Sequence, residues 1–337
     1  MSDPLAPTAK PRMIWMDSLR GGAILLVILW HSSGILVRFG YGHAPDWLIG
    51  FNEFFAPYRM PTLMFLSGML LPASLRKPLP TYFSGKLRLI AWPFVVWTVL
   101  WILLFPSPNT LLSFNLWTTS YLWYLLYILV FYAIAPLVRW VPGWILVLLP
   151  WVATGFTDDM NRRRFFFLMG FFFLGKLVAE NRAVLDRVLA SRWIWASVPI
   201  AVGFGVASAV YGPWRYYGLL AIFSVVGVLC GVKIAQLTTT RRGTAAIRFV
   251  GRNSLIYYVT HFPVITAIVM LGSTLGVPNG AMIVVGGIGA LLVGTLAVWL
   301  SKHSWLRLLF AFPELRFRRS TQTKTITADP PPTLSTP

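Results

Sequence analysis

The chain is short of the side chains that usually do chemistry in water. Its 337 residues include 10 Asp and Glu, 4 His and 1 Cys. A single cysteine, Cys230, excludes an internal disulfide and any multi-cysteine metal site. Set inside an apolar run, it reads as a buried structural thiol. Charged residues are 12% of the chain, about half the share found in soluble domains, roughly 25%. No H-E-x-x-H, G-x-G-x-x-G or P-loop pattern occurs, so neither a metal nor a bound redox cofactor is expected.

Hydrophobic residues fill the gap, at 57% of the chain. Apolar stretches of about 20 residues recur along its length, the length needed to cross a bilayer. The fold class expected is all-α, a polytopic membrane helical bundle of about ten transmembrane helices. Their expected spans are 14–37, 49–72, 87–106, 120–139, 142–157, 164–180, 193–211, 215–237, 249–271 and 280–301. No long polar linker divides them, so one transmembrane domain is expected over 14–312, after an N-terminal segment at 1–13. Lys10 and Arg12 precede the first stretch as in a secretory signal, but that stretch is long and holds Arg20 and His31, so it reads as a retained helix. The tail at 313–337 is basic, then rich in Thr and Pro, and is expected to be disordered. Its basic part would rest on anionic headgroups.

The formal net charge is +19, from 29 Lys and Arg against 10 Asp and Glu. In a soluble protein that would suggest nucleic acid; here the basic residues lie in short loops between apolar spans, and no nucleic-acid partner is expected. With both termini in the cytoplasm, 21 basic residues fall inside and five outside, among them Arg38 and the Arg162–Arg164 cluster. Arg20, Arg59 and Arg252 fall within spans. The asymmetry obeys the positive-inside rule with both termini cytoplasmic.

The polar residues inside the spans carry the functional argument. In "DSLRGGAILLVILWHSSG", Arg20 and His31 are eleven residues apart. That spacing places them about 20° apart around a helix and about 16 Å apart along it. An ionisable group at the centre of a membrane helix costs at least about 2.5–3.5 kcal/mol. Two on one stripe point to a polar cavity inside the bundle; the alternative for Arg20 alone is snorkelling to the headgroups. Gly21, Gly22 and Ala23 let neighbouring backbones approach, and Asp17 is spaced to orient Arg20. Counting from the span ends brings Arg59, His31 and His261 to similar depth. Ser254 and Tyr257 share a face with His261 and could orient its imidazole. Ser67 and Gly68 read as a donor contact or a close-packing pair. Trp123 and Tyr124 read as substrate stacking or as part of an interfacial aromatic belt. Asp158 and Asp159 read as a solvated loop or an acceptor contact.

The same residues resemble the acyltransferase-3 family of integral membrane acyltransferases, which modify bacterial cell-surface glycans. "DSLRGGAILLVILWH" has the family's Arg and His separated by ten residues after an Asp. "RMPTLMFLSGML" is similar to its second-helix block, "KLRLIAWPFVVW" to the basic approach to its third helix, and "YLWYLLYILVFY" to its fourth. "FFFLGKL" and "VGRNSLIYYVTHFPV" resemble later blocks, and all of these stand in family order. The resemblance implies a multi-pass protein of the bacterial inner membrane that moves a short acyl group, acetyl first, from acyl-CoA as co-substrate to a hydroxyl of a glycan or lipid-linked acceptor. Catalytic residues would be His31, Arg20 and His261; donor or acceptor contacts would come from Asp17, Arg59, Ser67, Gly68, Trp123, Tyr124, Asn253, Ser254 and Tyr257. A secondary transporter coupling through intramembrane His and Arg is the alternative.

Overall fold

A computed structural model describes residues 13–106, 121–212, 216–303 and 305–313. The expected N-terminal segment up to residue 12, Arg215, and the tail beyond residue 313 lie outside the described residues. Every regular element among the described residues is helical. In chain order the helices are α1 (Ile14–Arg38), α2 (Asp46–Gly68), α3 (Leu71–Leu75), α4 (Leu79–Leu104) and α5 (Trp123–Ile134). There follow α6 (Gly143–Phe156), α7 (Met160–Glu180), α8 (Arg182–Ala190), α9 (Trp193–Tyr211) and α10 (Gly218–Thr238). The described chain closes with α11 (Ala245–Arg252), α12 (Ser254–Thr274) and α13 (Asn279–Leu300).

Six of these, α1, α4, α9, α10, α12 and α13, are long and apolar enough to cross a membrane. The apolar α5 and α6 are shorter. The long α2 and α7 carry charges within them, Glu53 and Arg59 in one and Arg162–Arg164 and Lys176 in the other. Each expected span overlaps a helix, but several borders differ. The expected span at 249–271 breaks at Asn253, whose backbone leaves the helical region and whose side-chain Nδ2 donates to the Phe249 carbonyl at 2.9 Å. The third span starts at Leu79 rather than at 87, because Pro80 suits a first helical turn. Just before Pro93 it widens into a π turn at Leu87–Ala91, where the Trp92 N–H reaches the Leu87 carbonyl. The Arg88 carbonyl accepts from Phe312 N–H at 3.2 Å, which pins the end of the described chain onto α4.

Helix α1 is the centre of the bundle and packs against α2, α10, α11, α12 and α13. Two places show why small residues are needed. A Cβ on Gly21 would stand 1.9 Å from the Ile247 carbonyl oxygen, and one on Gly251 would stand 1.8 Å from that of Asp17. Helices α1 and α11 therefore touch backbone to backbone. A Cβ on Gly68 would stand 1.8 Å from the Phe172 oxygen, and one on Gly175 would stand 2.0 Å from that of Phe65, so α2 and α7 meet in the same reciprocal way. Without a hydrophobic force between helices in lipid, such close contact is a principal source of association.

The prolines inside these helices remove N–H donors and orphan carbonyls one turn earlier. At two of them a neighbouring hydroxyl fills the vacancy. Pro57 orphans the Glu53 carbonyl, and Ser208 on α9 donates to it at 2.9 Å. Pro263 orphans the Val259 carbonyl, and the Tyr121 hydroxyl donates to it at 2.9 Å. These bonds hold the turns that carry Arg59 and His261.

Candidate active site

His31 on α1 and His261 on α12 meet in the interior. Their ring centroids are 5.0 Å apart with the planes tilted by 50°. Trp30 and Phe262 press edge-on against His31, at 4.5 and 5.0 Å. Arg59 on α2 is buried, with its guanidinium carbon 5.0 Å from the centroid of the Trp30 ring, which itself packs on His31. Three helices thus deliver two imidazoles and a guanidinium to one level of the bundle.

His261 has a defined proton arrangement. Its Nδ1 lies 3.1 Å from the Tyr257 carbonyl oxygen. A carbonyl can only accept, so Nδ1 carries a proton and donates. In the neutral ring Nε2 then holds the lone pair, and it is buried with no hydrogen-bond partner among the described residues. A buried acceptor of this kind is costly unless something arrives to use it.

An aromatic row runs from this pair toward α5 and α2. Tyr258 stands 5.7 Å from His261, and Tyr124 stands 5.3 Å from Tyr258. The Tyr124 hydroxyl is 3.3 Å from Ser67 Oγ, which itself donates to the Leu63 carbonyl at 2.9 Å. Tyr132 donates to the Ser67 carbonyl at 2.9 Å. Ser67, Tyr124 and Tyr258 thus form a continuous polar and aromatic row that leads away from His261 across α12, α5 and α2.

The remaining residues singled out from the sequence sit elsewhere or act differently. Asp17 is buried, and its Oδ2 meets Arg252 Nε at 3.2 Å. That partner lies 235 positions away, and nothing local in the sequence marks it. The Tyr257 side chain does not orient His261: its hydroxyl is 2.7 Å from Thr295 Oγ1, and its backbone carbonyl does the orienting. Ser254 opens α12 two turns before His261, and Asn253 caps α11. Gly68 is a packing contact against α7. Trp123 lies under the Arg164 guanidinium at 4.0 Å. Asp159 caps α7 by accepting from Arg162 N–H at 2.8 Å, and Asp158 pairs with Arg163 at 3.7 Å.

Sequence reasoning gave no role to Trp30, Tyr121, Tyr258 or Phe262, although they form the walls of the site. Tyr121 and Phe262 stack at 4.9 Å, with planes 8° apart. Pro263 was the available signal, since it announces an orphaned carbonyl one turn back and hence a donor nearby.

The chemistry open to this arrangement is proton transfer at an imidazole inside the bundle, with a guanidinium nearby to stabilise negative charge. A family model described as an acyltransferase domain, Acyl_transf_3, matches residues 13–300. No curated protein and no solved structure matches. The family match spans His31, Arg59 and His261 as well as every helix that packs on α1, and the chain belongs to the acyltransferase-3 family of multi-pass membrane acyltransferases.

Proposed function

We propose that this acyltransferase moves a short acyl group, acetyl first, from acyl-CoA to a hydroxyl of an extracytoplasmic or lipid-linked glycan at the bacterial inner membrane. The observation that carries the reading is the contact of His31 with His261 beside the buried Arg59. In the reaction, the acceptor oxygen attacks the thioester carbonyl carbon while an imidazole nitrogen takes the hydroxyl proton. The carbonyl re-forms as the C–S bond breaks, and the proton passes to the leaving thiolate, giving an ester and free CoA. His31 is the base, with His261 as its relay; in the other order of events His31 first carries the acyl group itself. Arg59 is the nearest cation to the developing oxyanion. Arg20, three turns before His31 on α1, aligns the anionic donor.

The placement of the site within the bundle follows from the bilayer. A donor from one side and an acceptor from the other can meet only at depth. The full expectation is ten crossing helices with both termini in the cytoplasm, which puts Arg20 toward the donor side.

The test uses purified protein in liposomes with radiolabelled acetyl-CoA. His31→Ala and Arg20→Ala should each lower transfer by about 10²–10⁴, the usual worth of a positioned acid–base group, with folded protein retained. Near-normal turnover in either variant would refute its assigned role. The secondary-transporter alternative predicts uptake of solute into the liposomes with no covalent product.

A further inference from the structure

Arg38 extends the polar stripe of α1 beyond the two residues already considered. From Arg20 to Arg38 is 18 residues, which is five turns of an α-helix, so the two arginines share one azimuth. The helix is continuous from Ile14 to Arg38, so that register is kept along its whole length. His31 lies between them, about 16 Å from Arg20 and about 10 Å from Arg38 along the axis. Arg38 does not simply follow the helix axis into solvent as a helix-terminal cation would. Its guanidinium lies over the Phe262 ring, 5.9 Å from the centroid, and Phe262 packs on His31. Arg38 is solvent-exposed, and among the described residues no carboxylate pairs with it.

We propose that Arg38 is a specificity residue for an acceptor that bears an anionic group about 10 Å from the hydroxyl that is acylated. This rests on the acyl-transfer reading and adds the chemical class of the acceptor. Arg20 and Arg38 are then two anion contacts at opposite ends of one stripe, with the reacting imidazole between them. The donor's phosphates meet the first, and the acceptor's anion meets the second. A guanidinium suits either a phosphate or a carboxylate, because its planar fork binds both in bidentate fashion. The anion can therefore come from the phosphate of a lipid carrier or from the carboxylate of an acidic sugar.

The experiment labels membranes that contain the protein and their own acceptor with radiolabelled acetyl-CoA. The labelled glycan is run on an anion exchanger before and after mild acid, which splits glycosyl phosphates but leaves sugar carboxylates in place. Label retained on the exchanger supports the proposal. Loss of retention after acid assigns the anion to a lipid-linked phosphate, and persistence assigns it to an acidic sugar. Label in a neutral glycan overturns the proposal and leaves acyl transfer standing. No label from the parent protein, with a catalytically active control enzyme in parallel, overturns acyl transfer and this inference with it. With the labelled acceptor in hand, Arg38→Ala should raise its KM about 10- to 100-fold with kcat within about twofold. Arg38→Lys should recover most of the loss at low salt and little at high salt, since it keeps the charge without the fork. An unchanged KM in Arg38→Ala would also overturn the proposal.

Discussion

Gly21 and Gly22 are adjacent, identical in chemistry, and opposite in surroundings. A Cβ on Gly22 meets nothing within 4 Å, whereas one on Gly21 stands 1.9 Å from the Ile247 carbonyl oxygen. Ordinary contact begins near 3.4 Å, so Gly21→Ala requires α1 and α11 to separate by about 1.5 Å. The obstacle is backbone and cannot rotate aside. Overpacking of this kind costs about 3 kcal/mol at the upper end of its range, while Ala gains about 1 kcal/mol over Gly as a helix former. Gly21→Ala should therefore destabilise by about 2 kcal/mol and Gly22→Ala should stabilise by about 1 kcal/mol. The same separation would open the contact between Asp17 and Arg252, now 3.2 Å, because α11 carries Arg252. Displacement on the order of 1 Å at a catalytic helix can cost about 100-fold in rate. Thermal unfolding in detergent and acetyl transfer in liposomes, measured on both variants, give the comparison. If Gly21→Ala unfolds at or above the temperature of Gly22→Ala, the backbone contact between α1 and α11 does not exist as described.

Gly175→Ala should reproduce the effect at the α2–α7 contact, where its Cβ would stand 2.0 Å from the Phe65 oxygen; a lower yield of folded protein and a lower unfolding temperature are the readouts. Tyr121→Phe should cost about 1–3 kcal/mol by leaving the Val259 carbonyl unsatisfied, and thermal unfolding against the parent measures it; no loss would mean that another donor takes the carbonyl. His261→Ala should lower acetyl transfer by about 10²–10⁴ if Nε2 relays the proton from His31, while donor binding, read by isothermal titration with a non-hydrolysable acetyl-CoA analogue, stays within about twofold. A rate equal to the parent's would remove His261 from the reaction.

The two kinds of information divide along physical lines. Helical class, the location of the apolar segments and the stripe of Arg20 and His31 follow from local periodicity, and a local pattern is what a sequence displays. The all-helical architecture and the six long apolar helices could be read in this way. The border errors have local causes that hydropathy does not register, such as the Asn253 break and the helix start beside Pro80.

Partners across the bundle were not legible. Asp17 reads as the neighbour of Arg20 because they are three positions apart, yet its carboxylate meets Arg252, 235 positions on. Tyr257 reads as an orienting hydroxyl because it shares a face with His261, yet that hydroxyl meets Thr295 and the carbonyl does the work. Trp123 reads either as substrate stacking or as part of an aromatic belt, and nothing near it in sequence marks Arg164, whose guanidinium lies 4.0 Å from its ring. Sequence determined which residues must leave the lipid, because insertion cost depends only on the side chain and its depth. The tertiary structure alone decided which of them meet, because the contact between His31 and His261 depends on how closely α1 and α12 approach and at what register. That register is set by small residues, prolines and hydroxyls on several helices at once, and no single stretch of the chain contains it.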